Sequence, residues 1–136
     1  MEPMEKSDYE TLAAFRYTLR KFLRFSELAA QEHGLTPQQY QALLAIEGFP
    51  GRNEITMGEL AEQLQIAAHS AVGLADRLEE AGLITRDRSA EDRRCVHVRL
   101  TRRGRTQLEK LAGVHRRELQ NVGPLLTSLL EKVSRP

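Results

Sequence analysis

Residues 84–105 read ITRDRSAEDRRCVHVRLTRRGR, and the periodicity of this stretch decides the fold. Val96, Val98 and Leu100 alternate with Cys95, His97 and Arg99, which is the two-residue period of a half-buried strand. Just upstream, Leu83-Ile84-Thr85-Arg86 predicts a partner strand, and the polar run 87–94 between them predicts a hairpin tip. Eight arginines stand in residues 84–105 against Asp87, Glu91 and Asp92, for a local charge of +5. The planar, always-charged guanidinium suits phosphates and base edges, so this hairpin is the first candidate for chemistry.

Working outward, the period becomes helical. In a capping box, a side-chain oxygen and a Glu or Gln three residues later satisfy the backbone N–H groups that open a helix. Such boxes occur at Ser7-Asp8-Tyr9-Glu10, Thr36-Pro37-Gln38-Gln39 and Thr56-Met57-Gly58-Glu59. The first predicts a long helix to residue 32, with Leu12, Phe15, Leu19, Phe22 or Leu23, and Leu28 at helical spacing. The second has Pro37 at the favoured first position and stops at Gly48-Phe49-Pro50-Gly51. Ile55 fits a strand of one or two residues ahead of the third helix, 57–64. A fourth covers 68–81 and ends at Gly82. After the hairpin, Thr101 caps a helix to Leu119, and Leu125, Leu126, Leu129, Leu130 and Val133 mark another beyond Gly123-Pro124. The expected class is mainly α with a small β-hairpin wing.

The 136 residues suit one domain, 1–136. Leu, Ile, Val and Phe make up a quarter of them, more than a disordered chain carries. No apolar run approaches the roughly 18–20 residues that cross a bilayer, and the charged N-terminus has no signal-peptide core, so a cytoplasmic chain without a membrane partner is expected. Cys95 stands alone, which excludes an internal disulfide. His33, His69, His97 and His115 show no metal-ligand spacing, and His115-Arg116-Arg117 reads as a solvated helix face. There is no nucleophile–base pairing or glycine-rich phosphate loop, so neither enzyme nor cofactor is expected. The net charge of +1 conceals −6 over residues 1–83, +5 over 84–105 and +2 over 106–136. A local patch governs phosphate binding, because charges are screened beyond about 8 Å at physiological salt.

Two short helices, a tight connection, a longer helix and a basic hairpin make a winged helix-turn-helix over 36–100, a DNA-binding unit whose second helix enters the major groove. On the wheel of 68–81, His69, Ser70, Gly73, Asp76 and Arg77 share one side, and Ala71, Ala75 and Leu78 lie opposite. Ala67 cannot supply the oxygen of a good N-cap, a loss of about 1 kcal/mol against Ser or Asp. Helices 7–32 and 101–133 carry larger apolar faces than a lone winged helix needs.

LAEQL (60–64), HSAVGLADRLEEAGLI (69–84) and DRRCVHVRLTRRG (92–104) resemble the MarR family of bacterial transcriptional regulators. The last matches a D-x-R, five residues, L-T-x-x-G signature through Asp92, Arg94, Leu100, Thr101 and Gly104. The resemblance implies a homodimer joined through helices 7–32 and 101–133, bound to a pseudo-palindromic operator on double-stranded DNA and acting as a repressor. It implies that Arg94 enters the minor groove with Asp92 orienting it. Arg77, Arg86, Arg88 and Arg93 would grip phosphates, and His69, Ser70 and Gly73 would meet bases. It implies release by a small aromatic or phenolic effector, for which Tyr9, Arg16, Tyr17, His33 and Tyr40 are candidate contacts. The family's peroxide sensors carry their cysteine in the first helix, where this chain has none. Cys95, flanked by Arg94 and His97, is the redox candidate here. Three alternatives stay open: an adaptor for a protein partner, a sequence-tolerant DNA-compacting protein, and a thiol-modification sensor.

Overall fold

Three shorter helices pack with a small sheet, and two long helices pack along each other. The computed structural model describes residues 2–92 and 94–135. Among them the order is α1 (Lys6–Glu32), α2 (Pro37–Glu47), β1 (Ile55–Thr56), α3 (Met57–Leu64), α4 (Ala68–Glu80), β2 (Ile84–Arg88), β3 (Val96–Leu100) and α5 (Arg102–Ser134). The capping boxes at Thr36 and Thr56 form as expected. Gln39 N–H donates to Thr36 Oγ1 at 3.1 Å while Thr36 N–H donates to Gln39 Oε1 at 3.0 Å, and Thr56 with Glu59 repeats the exchange. At the first helix the start moves upstream of Ser7. Glu5 N–H donates to Asp8 Oδ2 at 2.9 Å, so the reciprocal pair nearer the terminus opens the helix and Ser7 lies inside it.

The sheet is antiparallel in the order β1-β3-β2. Ile84 faces Leu100, Arg86 faces Val98, and Ile55 joins Val98 from the other edge. The alternation of residues 96–100 therefore sends Val98 and Leu100 inward, against a core that includes Leu43, Ile46, Leu60, Leu74, Leu78 and Leu111. Gln65, in the left-handed region at φ 54°, makes the tight corner between α3 and α4, and the φ of +76° at Gly82 turns the chain from α4 toward β2.

Two expectations need correction. The two C-terminal helices are one, α5, with Pro124 inside it. Proline removes one backbone hydrogen bond, here to the carbonyl of Gln120, and costs about 3 kcal/mol in a helix interior. Both residues are exposed, so water can serve that carbonyl, and Leu129 farther along is buried, which keeps the helix running. α5 packs along α1.

His115 is the second correction, because it is buried at 5% exposure rather than solvated. Arg116 and Arg117 face outward, but one residue of rotation turns His115 between α1 and α2. Its ring stacks on Tyr40 with centroids 4.4 Å apart and meets Phe22 and Phe25 edge-on. Nδ1 lies 2.8 Å from Leu111 O, and Nε2 lies 2.7 Å from Ser26 Oγ. A carbonyl only accepts, so Nδ1 donates to Leu111 O, and Nε2 pairs with the Ser26 hydroxyl, which can donate or accept. Three elements thus meet on one polar pair in an apolar setting. Ser26→Ala strands Nε2 and is expected to cost about 1–3 kcal/mol in urea unfolding. A variant as stable as the parent would show that the bond contributes nothing.

Candidate nucleic-acid interface

Helix α4 buries Ala71, Leu74, Ala75 and Leu78 and exposes His69, Ser70, Val72, Asp76 and Arg77. The hydrophobic stripe of the sequence thus becomes the seat of the helix, and the polar side becomes its free face. No side chain caps its N-terminus, in keeping with alanine at position 67. Gly73 is partly exposed on the free face, and the Arg77 guanidinium lies over it.

Beside α4 stands the hairpin. Its tip is built by short-range bonds: Ser89 N–H donates to Cys95 O and Cys95 N–H to Asp92 O, both at 2.9 Å. Ser89 Oγ accepts from the N–H groups of Glu91 and Asp92. Asp92 Oδ1 in turn accepts from the backbone N–H of Arg94 at 3.0 Å and from its Nε at 3.3 Å. One carboxylate therefore shapes the turn and aims the guanidinium. The Arg94 side chain is 93% exposed, so the aimed charge stands clear of the protein. Arg88 is exposed on β2, and Arg93 lies outside the described residues.

Arg86 has a different situation from that expected of a phosphate grip. Its side chain is only 22% exposed, and its guanidinium reaches Asp76 at 2.7 Å and Glu79 at 2.9 Å, both on α4. The Arg86 backbone N–H also donates to Glu79, at 3.2 Å. This triad ties the root of the hairpin to α4, a connection that sequence reading missed because the partners are seven and ten residues away. Chiefly through the Arg86 hydrogen bond, the Glu79 carboxyl is held below its ordinary value. A depressed carboxyl keeps its partner above the unfolded value and releases it only as pH falls through the folded one, so the tie holds at neutral pH.

On the far edge, Glu54 accepts from Arg99 Nη2 at 2.9 Å and lies 3.3 Å from His97 Nδ1 without hydrogen-bond geometry. The ion pair with Arg99 fixes the other side of the hairpin.

The effector candidates are not gathered at one place. Tyr40 is sealed in the core at 3% exposure, where burial pushes its phenol up, and it stacks on His115. His33 Nδ1 lies 2.8 Å from Ala29 O, and the His33 carbonyl accepts from Gln107. Tyr9 and Arg16 are exposed on α1. Tyr17 borders a cleft of about 480 Å³ between α1 and α5, with Lys21, Phe22, Phe25, Val122 and Leu129. Cys95 is a free, half-buried thiol at the base of the tip. Among the described residues no group of three or more His, Cys, Asp or Glu is placed to hold a metal ion.

Comparison with known proteins agrees with this geometry. The sequence profile of the MarR family matches residues 33–94. The HTH-type transcriptional repressor MdtR of Bacillus subtilis is 31% identical over 84 residues, which cover 61% of this chain and 52% of that repressor. The chain spans about half the length of the curated relatives it matches. A MarR family protein from Bacillus stearothermophilus superposes with a TM-score of 0.79 at 23% identity, covering 98% of this chain and 100% of that one. A variant of MepR from S. aureus, solved bound to an oligodeoxyribonucleotide, superposes at 0.69 with 19% identity over 90% of this chain and 96% of that one.

Proposed function

We propose that the chain is a MarR-family protein, a homodimeric, sequence-specific DNA-binding regulator that represses transcription and is released by a small aromatic or phenolic effector. The observation that carries this reading is the pairing of α4 and the hairpin. A free helix face stands beside an outward Arg94, and the Arg86 triad holds the two together. Residues 36–100 form the reading unit, with α4 in the major groove and the hairpin tip in the neighbouring minor groove. Arg77, Arg88 and Arg93 grip phosphates, and Arg86 positions the hairpin.

Residues 7–32 and 101–133 join two copies. Leu12, Leu23, Leu28, Leu119, Leu125 and Leu130 are all exposed on α1 and α5, apolar surface available to that joint. Two reading units on a two-fold axis suit a pseudo-palindromic site. An effector acts by favouring a spacing of the two α4 helices that does not fit adjacent grooves. The aromatic cleft at Tyr17 and Phe22 favours such a ligand. The cytoplasm, where the DNA is, suits a chain in which no described helix is long and apolar enough to cross a membrane.

Selection of bound sequences from a random DNA library tests the reading. The expected product is a two-fold related sequence bound far more tightly than random DNA, with affinity falling steeply as salt rises. Equal affinity for selected and random duplexes would remove the regulator and favour a DNA-compacting role. Sedimentation at micromolar concentration should show a dimer; a monomer overturns the assembly.

A second reading rests on Cys95, whose backbone N–H and carbonyl both hold the tip together. A thiol adduct there would distort the turn that aims Arg94. Peroxide that abolishes DNA binding in the parent and spares Cys95→Ser would establish it. Unchanged binding after treatment would retire it.

A further inference from the structure

We propose that Val72 is a specificity-determining residue of α4 that reads the 5-methyl group of a thymine in each half-site. The inference rests on the DNA-binding reading above and deepens it.

Ala71, Leu74, Ala75 and Leu78 of α4 are buried beneath it, while the small Ala68 at its start and Val72 are exposed, Val72 at 45%. A single exposed valine is ordinary on a protein surface, so its surroundings decide the matter. At 100° per residue, Val72 lies about 40° from Asp76 and about 20° from Glu79. Those are the residues that Arg86 grips from β2, so Val72 faces the side of α4 turned toward the hairpin. That is the strip between the two DNA-reading parts.

Around it the helix surface is low. Ala67 and Ala68 precede it, and Gly73 follows on the free face. Glycine costs about 1 kcal/mol against alanine in a helix interior. Packing does not ask for it, because a Cβ at Gly73 would meet only the Arg77 guanidinium, at 3.6 Å, an ordinary contact. A glycine that the protein's own packing does not require, on a face otherwise free, fits the close approach of something from outside. A helix surface of this kind lets the backbone sit close to base edges, with His69 and Val72 as its reaching side chains. Valine has no hydrogen-bonding group, and the thymine methyl is the apolar feature of the major-groove edge. The Asp76 carboxylate next to it is held by Arg86, whose single charge is shared with Glu79.

The test starts from the selected operator. Each thymine is replaced by deoxyuridine, which removes only the methyl, in symmetric pairs, and affinity is measured for the parent and for Val72→Ala. At one thymine per half-site the parent should lose about fourfold per half-site, the worth of one buried methyl. Val72→Ala should already be weakened on the thymine duplex and indifferent to uracil there. Val72→Ala that keeps the parent's sensitivity at every position overturns the proposal, as does a parent indifferent to uracil throughout. Because Val72 is exposed, the variant should melt like the parent, and the isosteric Val72→Thr serves as a second probe. Gly73→Ala should melt no lower than the parent yet bind the selected site more weakly; undiminished binding counts against the close approach. A chain that selects no sequence at all overturns the regulator reading itself, and this proposal with it.

Discussion

An Arg94→Ala protein is expected to melt like its parent and to lose DNA affinity about a hundredfold or more, on selected and random duplexes alike. The side chain is 93% exposed, and its own contacts are with Asp92, so removing it opens no cavity and strands no buried group. What disappears is a charge held outward at the hairpin tip. A hydrogen bond to a charged group is worth about 1.5–3 kcal/mol, and a dimer loses two such contacts, one per hairpin. That sum corresponds to about two to four powers of ten. The minor groove distinguishes bases poorly, so the loss should be nearly uniform across sequences, and the salt dependence should become shallower. Asp92→Ala leaves the charge but removes its aim and the turn's acceptor, and should fall between the parent and Arg94→Ala. Anisotropy titrations at moderate salt give both results. An Arg94→Ala protein with undiminished affinity would falsify the assignment of the tip as a DNA contact.

The difference between Arg94 and Arg86 shows how far the sequence was legible. Both are arginines of one basic stretch, and periodicity places both in the hairpin. What separates them is the company they keep. Asp92 lies two residues from Arg94, so a local turn brings the pair together and spacing alone reveals it. The partners of Arg86 lie on another element, and only the packing of β2 against α4 brings Asp76 and Glu79 within reach. Local chemistry can be read along the chain; cross-element chemistry needs the register. His115 repeats the point. Its neighbours in sequence are arginines, but its neighbours in space are Tyr40, Phe22, Phe25 and Ser26. The fold itself was more legible, because caps and turns are local. Thr36, Thr56 and Gly82 each mark a helix boundary that forms. Pro124 misled for the opposite reason, since a proline's effect on a helix depends on whether solvent can serve the carbonyl it leaves.

Gly104→Ala should have the largest effect on the fold, and the reason lies in the last part of the stretch that decides it. A Cβ at position 104 would stand 2.1 Å from the carbonyl oxygen of Leu83 and 3.1 Å from its carbon. The obstacle is backbone, so no side-chain rotation relieves it. Nor is that backbone free to retreat. Thr101 N–H donates to the same Leu83 oxygen at 3.0 Å, and Thr101 Oγ1 donates to Gly82 O at 2.7 Å while accepting from Gly104 N–H at 3.0 Å. Leu83 itself is buried in the core, and Gly82 occupies a φ that few other residues adopt. Thus Leu100, Thr101 and Gly104 work as one device: a core anchor, a helix cap and a gap for the crossing chain. It fixes the start of α5 against the root of the hairpin. Overpacking a tight core costs about 1–3 kcal/mol, and a backbone obstacle places this substitution at or above the upper end. Thermal unfolding should show a drop of roughly 10 °C or more for a chain of this size. DNA binding should weaken at temperatures where the variant is still folded, because the hairpin root shifts relative to α5. A Gly104→Ala protein that melts with its parent would show that α5 can slide on Leu83, and the coupling of α5 to the hairpin through this contact would fail.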